Sequence, residues 1–365
     1  MSKWRKKQLQ EIAFLRPTET LKKGDIAPNI PMANIKEFQR DVVKIDYSEF
    51  RGGTKFRNGD TLLAKITPCL ENGKTAFVNC LQEDEIGFGS TEFIVLRAKE
   101  NIDERFLYYL SISPEFRKQA ISLMEGTSGR KRVNENALKI SDFLIPDFEE
   151  QRKIANILSA IDDKIQINNQ INQELEAMAK TLYDYWFVQF DFPDQNGKPY
   201  KSSGGKMVYH PELKREIPEG WGVESVGNLL DKVTKAEKIE NNLIEFIGEI
   251  PVIDQSQKYI AGFTNNENGL IQPQKGHVIF GDHTRVVKYI NFDYARGADG
   301  TQVLISKNEH ISNVLLYHMI EDFDLSNYGY ARHFKFLKEK IVIVPDKEVS
   351  SKFETQANVI YEKEN

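Results

Sequence analysis

The sequence is poor in cysteine, with only two, Cys69 and Cys80, among its 365 residues. Two cysteines are too few for a disulfide framework, and neither has the companion Cys or His spacing of a zinc site. Long hydrophobic runs are also missing: no stretch of about 18 apolar residues occurs, and the basic N-terminus lacks the apolar core of a signal peptide. We therefore expect a cytoplasmic protein that is neither exported nor membrane-spanning.

An excess of positive charge is absent as well. The chain has 49 Lys and Arg against 54 Asp and Glu, a formal net charge of −5. This balance gives no support for nucleic-acid binding by the chain as a whole, so any basic surface must be local.

Motifs typical of catalysis are missing too. The stretch "NGKT" (Asn72 to Thr75) has Pro68 where a phosphate-binding loop requires its first glycine, so we predict a hairpin turn. "PDFEEQRK" has the acids and lysine of a nuclease signature, but a helix start explains these acids better. The six histidines form no i, i+4 metal pair, and neither a dinucleotide fingerprint nor an Asn-Pro-Pro-Tyr motif occurs. These absences favour a non-catalytic protein without a metal, although dispersed catalytic groups would leave no such motif.

The first 146 residues combine strand and helix patterns. Three runs rich in β-branched and aromatic residues, bounded by glycine turns, predict strands: "TLLAKI" (Thr61 to Ile66), "KTAFVNCL" (Lys74 to Leu81) and "TEFIVLRA" (Thr91 to Ala98). The stretch from Asp103 to Met124 predicts a helix that is interrupted at Pro114. This part of the chain is therefore expected to be α+β.

A different pattern follows, with apolar residues at alternating spacings of four and three. This spacing predicts a coiled-coil helix from Phe148 to Trp186, roughly 58 Å long at about 1.5 Å per residue. Asn168 takes one position of the seam, either as a tolerated polar residue or to fix the register with a partner helix. The seam comprises Ile154, Leu158, Ile161, Ile165, Asn168, Ile171, Leu175, Met178 and Leu182.

The second half of the chain repeats the first in outline. The separation in sequence between Trp4 and Trp221 equals that between Gly59 and Gly276. The stretch "EFIVLRAKENIDERFLYYL" corresponds to "TQVLISKNEHISNVLLYHM" in the second half. "TSGRKRV" corresponds to "YGYARHF", and the proline-acid helix start at Pro146 recurs at Pro345. Because the five pairs fall in one order, a diverged tandem duplication explains them better than chance does.

These patterns divide the chain into five segments. Residues 1–146 form a first α+β domain, 147–189 a long spacer helix, 190–218 a linker, 219–345 a second domain, and 346–365 the start of a second helix. The predicted fold class is α+β, with two similar domains joined by a long coiled-coil helix.

Basic loops recur at corresponding places in both halves. For any one of these residues a solvated surface charge is the commoner role, so the case for binding depends on the recurrence. Lys and Arg neutralise DNA phosphates, while Arg and His can read base edges. The candidate DNA-binding residues are Arg130, Lys131 and Arg132 in the first half, and His283, Thr284, Arg285, Lys288, Tyr330, Arg332 and His333 in the second.

The order of these elements resembles the specificity subunit of Type I restriction-modification systems over essentially the whole chain. The most specific stretches are "EEQRKIANILSAIDDKIQINNQINQ" and "LYDYWFVQFDFP" followed by "REIPEGW". "GDHTR…VKYI…GADGTQVL" is a recurrent version of the family's second domain, and the first domain matches only in outline. The resemblance implies a non-catalytic subunit whose two target-recognition domains each read one half of a bipartite site in double-stranded DNA.

The resemblance also implies partners. The helices would dock two methyltransferase subunits, and motor-nuclease subunits would join in a restriction complex. S-adenosylmethionine, Mg²⁺ and ATP would then be bound by those partner subunits, with no cofactor bound by this chain. A rod of roughly 58 Å corresponds to about 17 base pairs at about 3.4 Å per pair, which suits two half-sites separated by unread DNA.

The sequence departs from the family pattern in its second conserved helix, which usually runs back antiparallel to the first. Here that helix begins at Asp346 and the sequence reaches Asn365, so most of the long seam has no partner within the sequence. We expect a helix from another chain to fill it, through self-association or from the methyltransferase subunits. The alternatives are an autonomous DNA methylase or nuclease, and a coiled-coil scaffold without a role in DNA binding.

Overall fold

The structure is a computed structural model that describes residues 4–364, except Ser128, Lys232, Thr234, Lys235, Ala298, Asn327, Tyr328, Tyr330 and Ala331. The chain divides into two compact units, Met1–Asn168 and Asn169–Asn365. Within the described part of the chain, every helix is too short or too polar to cross a membrane. The expected mixture of helices and strands is confirmed in both units.

The first unit contains two larger sheets, whose strands are paired as follows. One has the order β2-β9-β6-β7 and is antiparallel; the other has the order β4-β3-β8-β5, in which β3 and β8 are parallel. The strands are β1 (Arg5–Gln8), β2 (Ala13–Leu15), β3 (Ile26–Ile30), β4 (Asp46–Glu49), β5 (Thr54–Phe56), β6 (Thr61–Ala64), β7 (Thr75–Phe77), β8 (Gly87–Gly89), β9 (Phe93–Ala98), β10 (Met124–Glu125), β11 (Arg132–Val133) and β12 (Asp142–Ile145).

Helices of the first unit begin at residues whose side chains accept hydrogen bonds from the first turn. Asp103 caps one helix and Ser113 caps the next, which has Pro114 at its first position, so the predicted interruption is confirmed. The helices are α1 (Leu9–Ile12), α2 (Glu104–Ile112), α3 (Pro114–Ser122), α4 (Glu135–Lys139) and α5 (Phe148–Tyr183), with a 3₁₀ turn at Met32–Asn34.

The second unit has a hairpin at its start, two sheets and helices of its own. Its strands are β13 (Met207–His210), β14 (Arg215–Pro218), β15 (Gly222–Ser225), β16 (Ile250–Ile253), β17 (Gly262–Thr264), β18 (Leu270–Ile271), β19 (His277–Gly281), β20 (Val287–Ile290), β21 (Tyr294–Arg296), β22 (Thr301–Leu304) and β23 (Ile341–Val344). The helices are α6 (Val226–Leu229), α7 (Asn313–Ile320), α8 (Phe334–Lys338) and α9 (Lys347–Glu364), with 3₁₀ turns at Asn241–Leu243 and Glu267–Gly269.

The two units share one topology. The sheet β17-β16-β21-β18 repeats β4-β3-β8-β5, including the parallel central pair, and β20-β19-β22 repeats β7-β6-β9. A short ladder of β15 with β23 likewise repeats that of β1 with β12. This agreement in strand order and direction supports the tandem duplication that the sequence predicts.

Helix α5 continues from the first unit into the second. At its start the Asp147 carboxylate accepts the Glu150 N–H at 3.0 Å, and Asp346 accepts the Val349 N–H at 2.9 Å in the same way before α9. The α-helix ends at Tyr183, three residues before the predicted Trp186, because the backbone widens into a π-helical turn over Asp184–Val188. Only the two ends of α5 are packed, and most of the side chains between residues 161 and 171 are exposed.

The segment 190–218, which the sequence predicts to be a linker, is folded. Phe190 and Phe192 are buried, and their rings pack against Trp221 with centroids 5.8 and 4.9 Å away. The strands β13 and β14 then form a hairpin between residues 207 and 218. Aromatic burial therefore outweighs the Pro, Gly and Ser content on which the prediction of a linker depended.

Candidate nucleic-acid interface

The hairpin turn between β19 and β20 presents polar side chains on the surface of the second unit. The Gly281 N–H donates to the Val286 carbonyl at 2.8 Å, and the Arg285 N–H donates to the Gly281 carbonyl at 2.8 Å. Arg285 has a φ of 65°, in the left-handed region, which turns the chain sharply at the tip. His283, Thr284 and Arg285 are all exposed there, as the sequence-based hypothesis requires.

Gln255, which follows β16, joins this turn to a third loop. Its Oε1 accepts the His283 N–H at 3.1 Å, its Nε2 donates to the Asp299 carbonyl at 3.0 Å, and its own carbonyl accepts the Thr284 hydroxyl at 2.6 Å. A Cβ at Gly300 would lie 2.5 Å from Gln255 Nε2, and Gly300 has a φ of 89°, so only glycine fits there. Gln255 therefore holds three loops in one arrangement.

Asp282 also holds the β19–β20 turn in place, through hydrogen bonds to neighbouring segments. It is buried, and its N–H donates to the Gly300 carbonyl at 2.7 Å. Its carbonyl accepts the His333 N–H at 2.9 Å, and its carboxylate accepts the Phe334 N–H at 2.8 Å. The segment before α8 is therefore attached directly to the β19–β20 turn.

Two predicted DNA-binding residues, His333 and Lys288, face inward in the structure. His333 is buried, with Nδ1 3.0 Å from the Asp282 carbonyl oxygen. Lys288 is also buried, and its Nζ donates to the carbonyls of Asp254 at 2.8 Å and Lys258 at 2.5 Å. Burial lowers the pKa of Lys288, while the nearby Asp254 carboxylate opposes this shift. The side chains of Lys288 and His333 thus hold loops in place. Of the other predicted residues near His333, Arg332 is exposed, and Tyr330 lies outside the described residues.

The first unit has a basic loop in the corresponding position, between β10 and β11. Arg130 and Lys131 are exposed in it. The Lys131 carbonyl accepts the Thr67 N–H at 3.0 Å, which attaches the loop to the turn between β6 and β7. That turn, which includes the predicted "NGKT" hairpin, is the counterpart of the β19–β20 turn. In both units, therefore, the segment before the short helix α4 or α8 is hydrogen-bonded to the same hairpin turn.

Arg132 is only partly available, because it pairs with Glu92. Its Nη2 lies 2.7 Å from Glu92 Oε1, and its Nε donates to Oε2 at 2.9 Å. The hydrogen bond and charge of Glu92 raise the pKa of Arg132, and Arg132 in turn lowers the pKa of the Glu92 carboxyl. A phosphate that approaches Arg132 must compete with this carboxylate.

The predicted helix seam is exposed in the middle of α5 and partly buried towards its ends. Exposed members are Ile161, Ile165, Asn168, Ile171 and Met178, and partly buried members are Ile154, Leu158, Leu175 and Leu182. In the second unit α9 packs on the end of α5, where Phe353 contacts the rings of Tyr183, Trp186 and Phe187. Beside this contact lies an apolar groove of about 740 Å³ between the two helices.

The first half of α5 is fixed to the first unit by a buried arginine that the sequence did not single out. Arg40 donates to the Asp163 carboxylate at 2.7 Å and to the Asp41 carboxylate at 2.9 Å. Tyr109 of α2 donates to Asp162 at 2.7 Å. Burial opposes the charge of Arg40, but hydrogen bonds to Asp41 and Asp163 outweigh it and raise the pKa of the guanidinium. Among the described residues, no three His, Cys, Asp or Glu side chains are grouped so as to hold a metal ion.

The fold and the loops define a class: two α+β domains of one topology in tandem, each with an exposed basic segment on the same hairpin, connected through a long helix. A family model described as the Type I restriction modification DNA specificity domain matches residues 1–177. The specificity subunit of the Type I restriction enzyme HindI from Haemophilus influenzae is 36% identical over 43% of this chain and 33% of its own length. The MjaIX specificity subunit from Methanocaldococcus jannaschii is 23% identical over 73% of this chain and 64% of its own length.

A solved structure has the same fold over the whole chain. The Type I restriction-modification S subunit from M. genitalium aligns with 100% of this chain and 90% of that chain, at 15% identity and a TM-score of 0.53. Residues 1–177 thus match a Type I specificity domain, and the resemblance to Type I restriction-modification specificity subunits seen in the sequence is confirmed. The chain spans less than two thirds of the length of these curated relatives.

Proposed function

We propose that the chain is the DNA-specificity subunit of a Type I restriction-modification complex, and that each unit reads one half of a bipartite site in double-stranded DNA. The observation that carries this proposal is the repeated attachment of a basic segment to the same hairpin turn in both units. A duplicated scaffold with different side chains at the equivalent turn suits two half-sites of different sequence.

In the second unit, the proposed contacts come from the tip of the β19–β20 turn. Arg285 and His283 are the groups that can donate to base edges or phosphates, and Arg332 lies on the neighbouring segment. Lys288 and His333 support this tip from within. The turn is fixed by Gln255 and Asp282 before any DNA arrives, which reduces the ordering cost of binding.

In the first unit, Arg130 and Lys131 are the proposed contacts. Both are exposed on a loop whose backbone is attached to the β6–β7 turn. Arg132 contributes less, because the Glu92 carboxylate neutralises it. Exposed cations without base-shaped pockets are suited to phosphates, and they give binding that weakens as salt rises.

The proposed partners dock on the helices. The exposed seam of α5 is a surface for helices of two methyltransferase subunits, and motor-nuclease subunits complete the restriction complex. In this proposal the chain has no catalytic role, and S-adenosylmethionine, Mg²⁺ and ATP are bound by the partner subunits. An apolar stripe of this length on a single helix supports a partner helix.

The test is to map methylated adenines in cells that carry the wild-type or variant chain with its methyltransferase subunit. Wild type should give one bipartite motif. Arg285→Ala should relax base preference in one half of the motif, and Arg130→Ala with Lys131→Ala should weaken methylation that depends on the other half. Lys118→Ala, which removes an exposed charge from α3, is the control and should leave the motif unchanged.

Three results would contradict the proposal. Methylation or cleavage of DNA by the purified chain alone would indicate an autonomous enzyme. An unchanged motif in both variants would favour a scaffold without a role in DNA recognition. Relaxation of the same half-site by both variants would show that the two units do not read separate halves.

A further inference from the structure

A short segment of the second unit exposes apolar side chains to an unusual degree. It runs from Asn241 to Glu249 and leads into β16. Leu243, Phe246 and Ile247 are 54%, 86% and 78% exposed, whereas Ile244 packs inward against the small core around Ile239 and Val252. Exposure of the Phe246 ring and the Ile247 side chain to water costs free energy, which indicates that a partner covers them.

The segment is fixed in place along its length. Glu245 exchanges two backbone hydrogen bonds with Phe263 of β17, each 2.8 Å long, and the Glu249 N–H donates to Asn265 Oδ1 at 3.1 Å. A Cβ at Gly248 would lie 2.9 Å from the Phe263 Cβ, so the backbone there lies directly against β17. Because the backbone is held on one side, Phe246 and Ile247 are held outward.

The charged side chains of this segment, together with Glu240 just before it, are acidic. Glu240, Glu245 and Glu249 are exposed, and no Lys or Arg occurs between Ile239 and Gln257. Carboxylates repel DNA phosphates, which argues against a role as a wedge inserted into DNA. The matching segment of the first unit, which leads into β3, instead exposes Lys22 and Lys23. Of these two equivalent segments, therefore, only the one in the second unit combines exposed apolar side chains with flanking glutamates.

We infer that the Asn241–Glu249 segment docks a methyltransferase subunit through an apolar pocket bordered by Lys and Arg. The inference rests on the proposed function, which supplies that partner. An enzyme that acts on the same DNA presents a positive surface near the phosphates, and an acidic apolar projection is complementary to such a surface. Phe246 is the anchor, because buried aromatic side chains dominate the binding energy of most interfaces.

The test uses the full chain and the purified methyltransferase subunit from the same strain, with affinity measured by titration calorimetry. The double variant Phe246→Ser with Ile247→Ser should bind the subunit at least about tenfold more weakly than wild type does. Its melting temperature should be unchanged, since both side chains are exposed. Val208→Ser with Tyr209→Ser is the matched control: these residues are 45% and 60% exposed in β13, and their replacement should leave affinity within about twofold.

A second pair of changes tests the charge. Glu245→Lys with Glu249→Lys should also weaken association, and the remaining binding should no longer weaken as salt rises. Both changes keep the backbone hydrogen bonds of the segment.

The outcomes separate this inference from the proposed function. If wild type fails to bind the methyltransferase subunit, the proposed function itself is wrong. If wild type binds and the serine variant binds equally well, the docking inference alone is overturned. Loss of DNA affinity with unchanged subunit affinity would make the segment a DNA contact, and loss of self-association with unchanged subunit affinity would make it a contact between copies; either result also overturns the inference.

Discussion

Replacement of Gln255 by alanine tests whether the β19–β20 turn is a preformed reading element. The change removes two side-chain hydrogen bonds, to the His283 N–H and to the Asp299 carbonyl, but leaves the Gln255 carbonyl that accepts the Thr284 hydroxyl. Each lost bond is worth about 0.5–1 kcal/mol, because the freed groups lie at the surface and can bond to water. The free energy that favours the ordered turn should therefore decrease by about 1–2 kcal/mol.

This free energy converts directly into specificity if DNA requires the ordered turn. At about 1.4 kcal/mol per factor of ten, affinity for the correct site should fall roughly 5- to 30-fold. Binding to random DNA should change little, because phosphate contacts depend on charge more than on loop geometry. The ratio of specific to random affinity should thus fall almost as much as the specific affinity itself.

The assay is fluorescence anisotropy of the assembled complex on three duplexes: the full bipartite site, a site with the relevant half randomised, and random DNA. Gln272→Ala is the control, since Gln272 also donates through Nε2, to Asp293 at 2.9 Å, but lies outside the turn. Gln255→Glu keeps the acceptor for the His283 N–H and loses the donor to Asp299, so it should have an intermediate effect. An equal loss on all three duplexes, or no loss on the specific site, would refute the preformed turn.

Three further predictions concern other parts of the chain. Glu92→Gln should free Arg132 and raise affinity for DNA about two- to fivefold at low salt, measured on the half-site of the first unit, whereas Glu100→Gln, on the loop after β9, should not. Ile165→Ser should leave the melting temperature within about 2 °C of wild type but weaken association with the methyltransferase subunit, and Lys164→Ser should affect neither. Burial lowers the pKa of Lys288 below its usual 10.5, so the unfolded state binds more protons than the folded state does. The free energy of unfolding of wild type should therefore increase relative to that of Lys288→Met as pH rises towards 10.5. Urea titrations at several pH values would contradict this if the difference in stability between the two proteins did not change with pH.

Local patterns were sufficient to predict much of the fold. The interruption at Pro114 follows from proline chemistry and the Ser113 cap, which act within one turn. The starts of α5 and α9 follow from Asp147 and Asp346 in the same way. The duplication could also be found, because each pair of matching stretches carries its own strand or helix pattern in the same order.

The support of the candidate site could not be predicted locally. Lys288 occupies a strand next to exposed turn residues, and nothing near it in sequence shows that the loop after β16 covers it. His333 is in a basic stretch, yet its N–H and ring are directed to Asp282, 51 residues earlier. Gln255 has no periodic or motif signal, since its role comes from three loops that only the folded sheet brings together.

Under the proposed function, the division between exposed and buried polar residues accounts for how one scaffold would serve two different half-sites. In the first unit the hairpin turn meets the basic loop through the Lys131 carbonyl and the Thr67 N–H, and in the second through the Asp282 carbonyl and the His333 N–H. These attachments are between backbone groups, so they do not depend on which side chains the turn presents. Side chains at the tips, such as Arg130 and Arg285, can therefore change while the attachment remains. Under the same proposal, a new DNA target would require substitutions at a few exposed positions, whereas changes to Asp282 or Gln255 would disturb the support on which any target would depend.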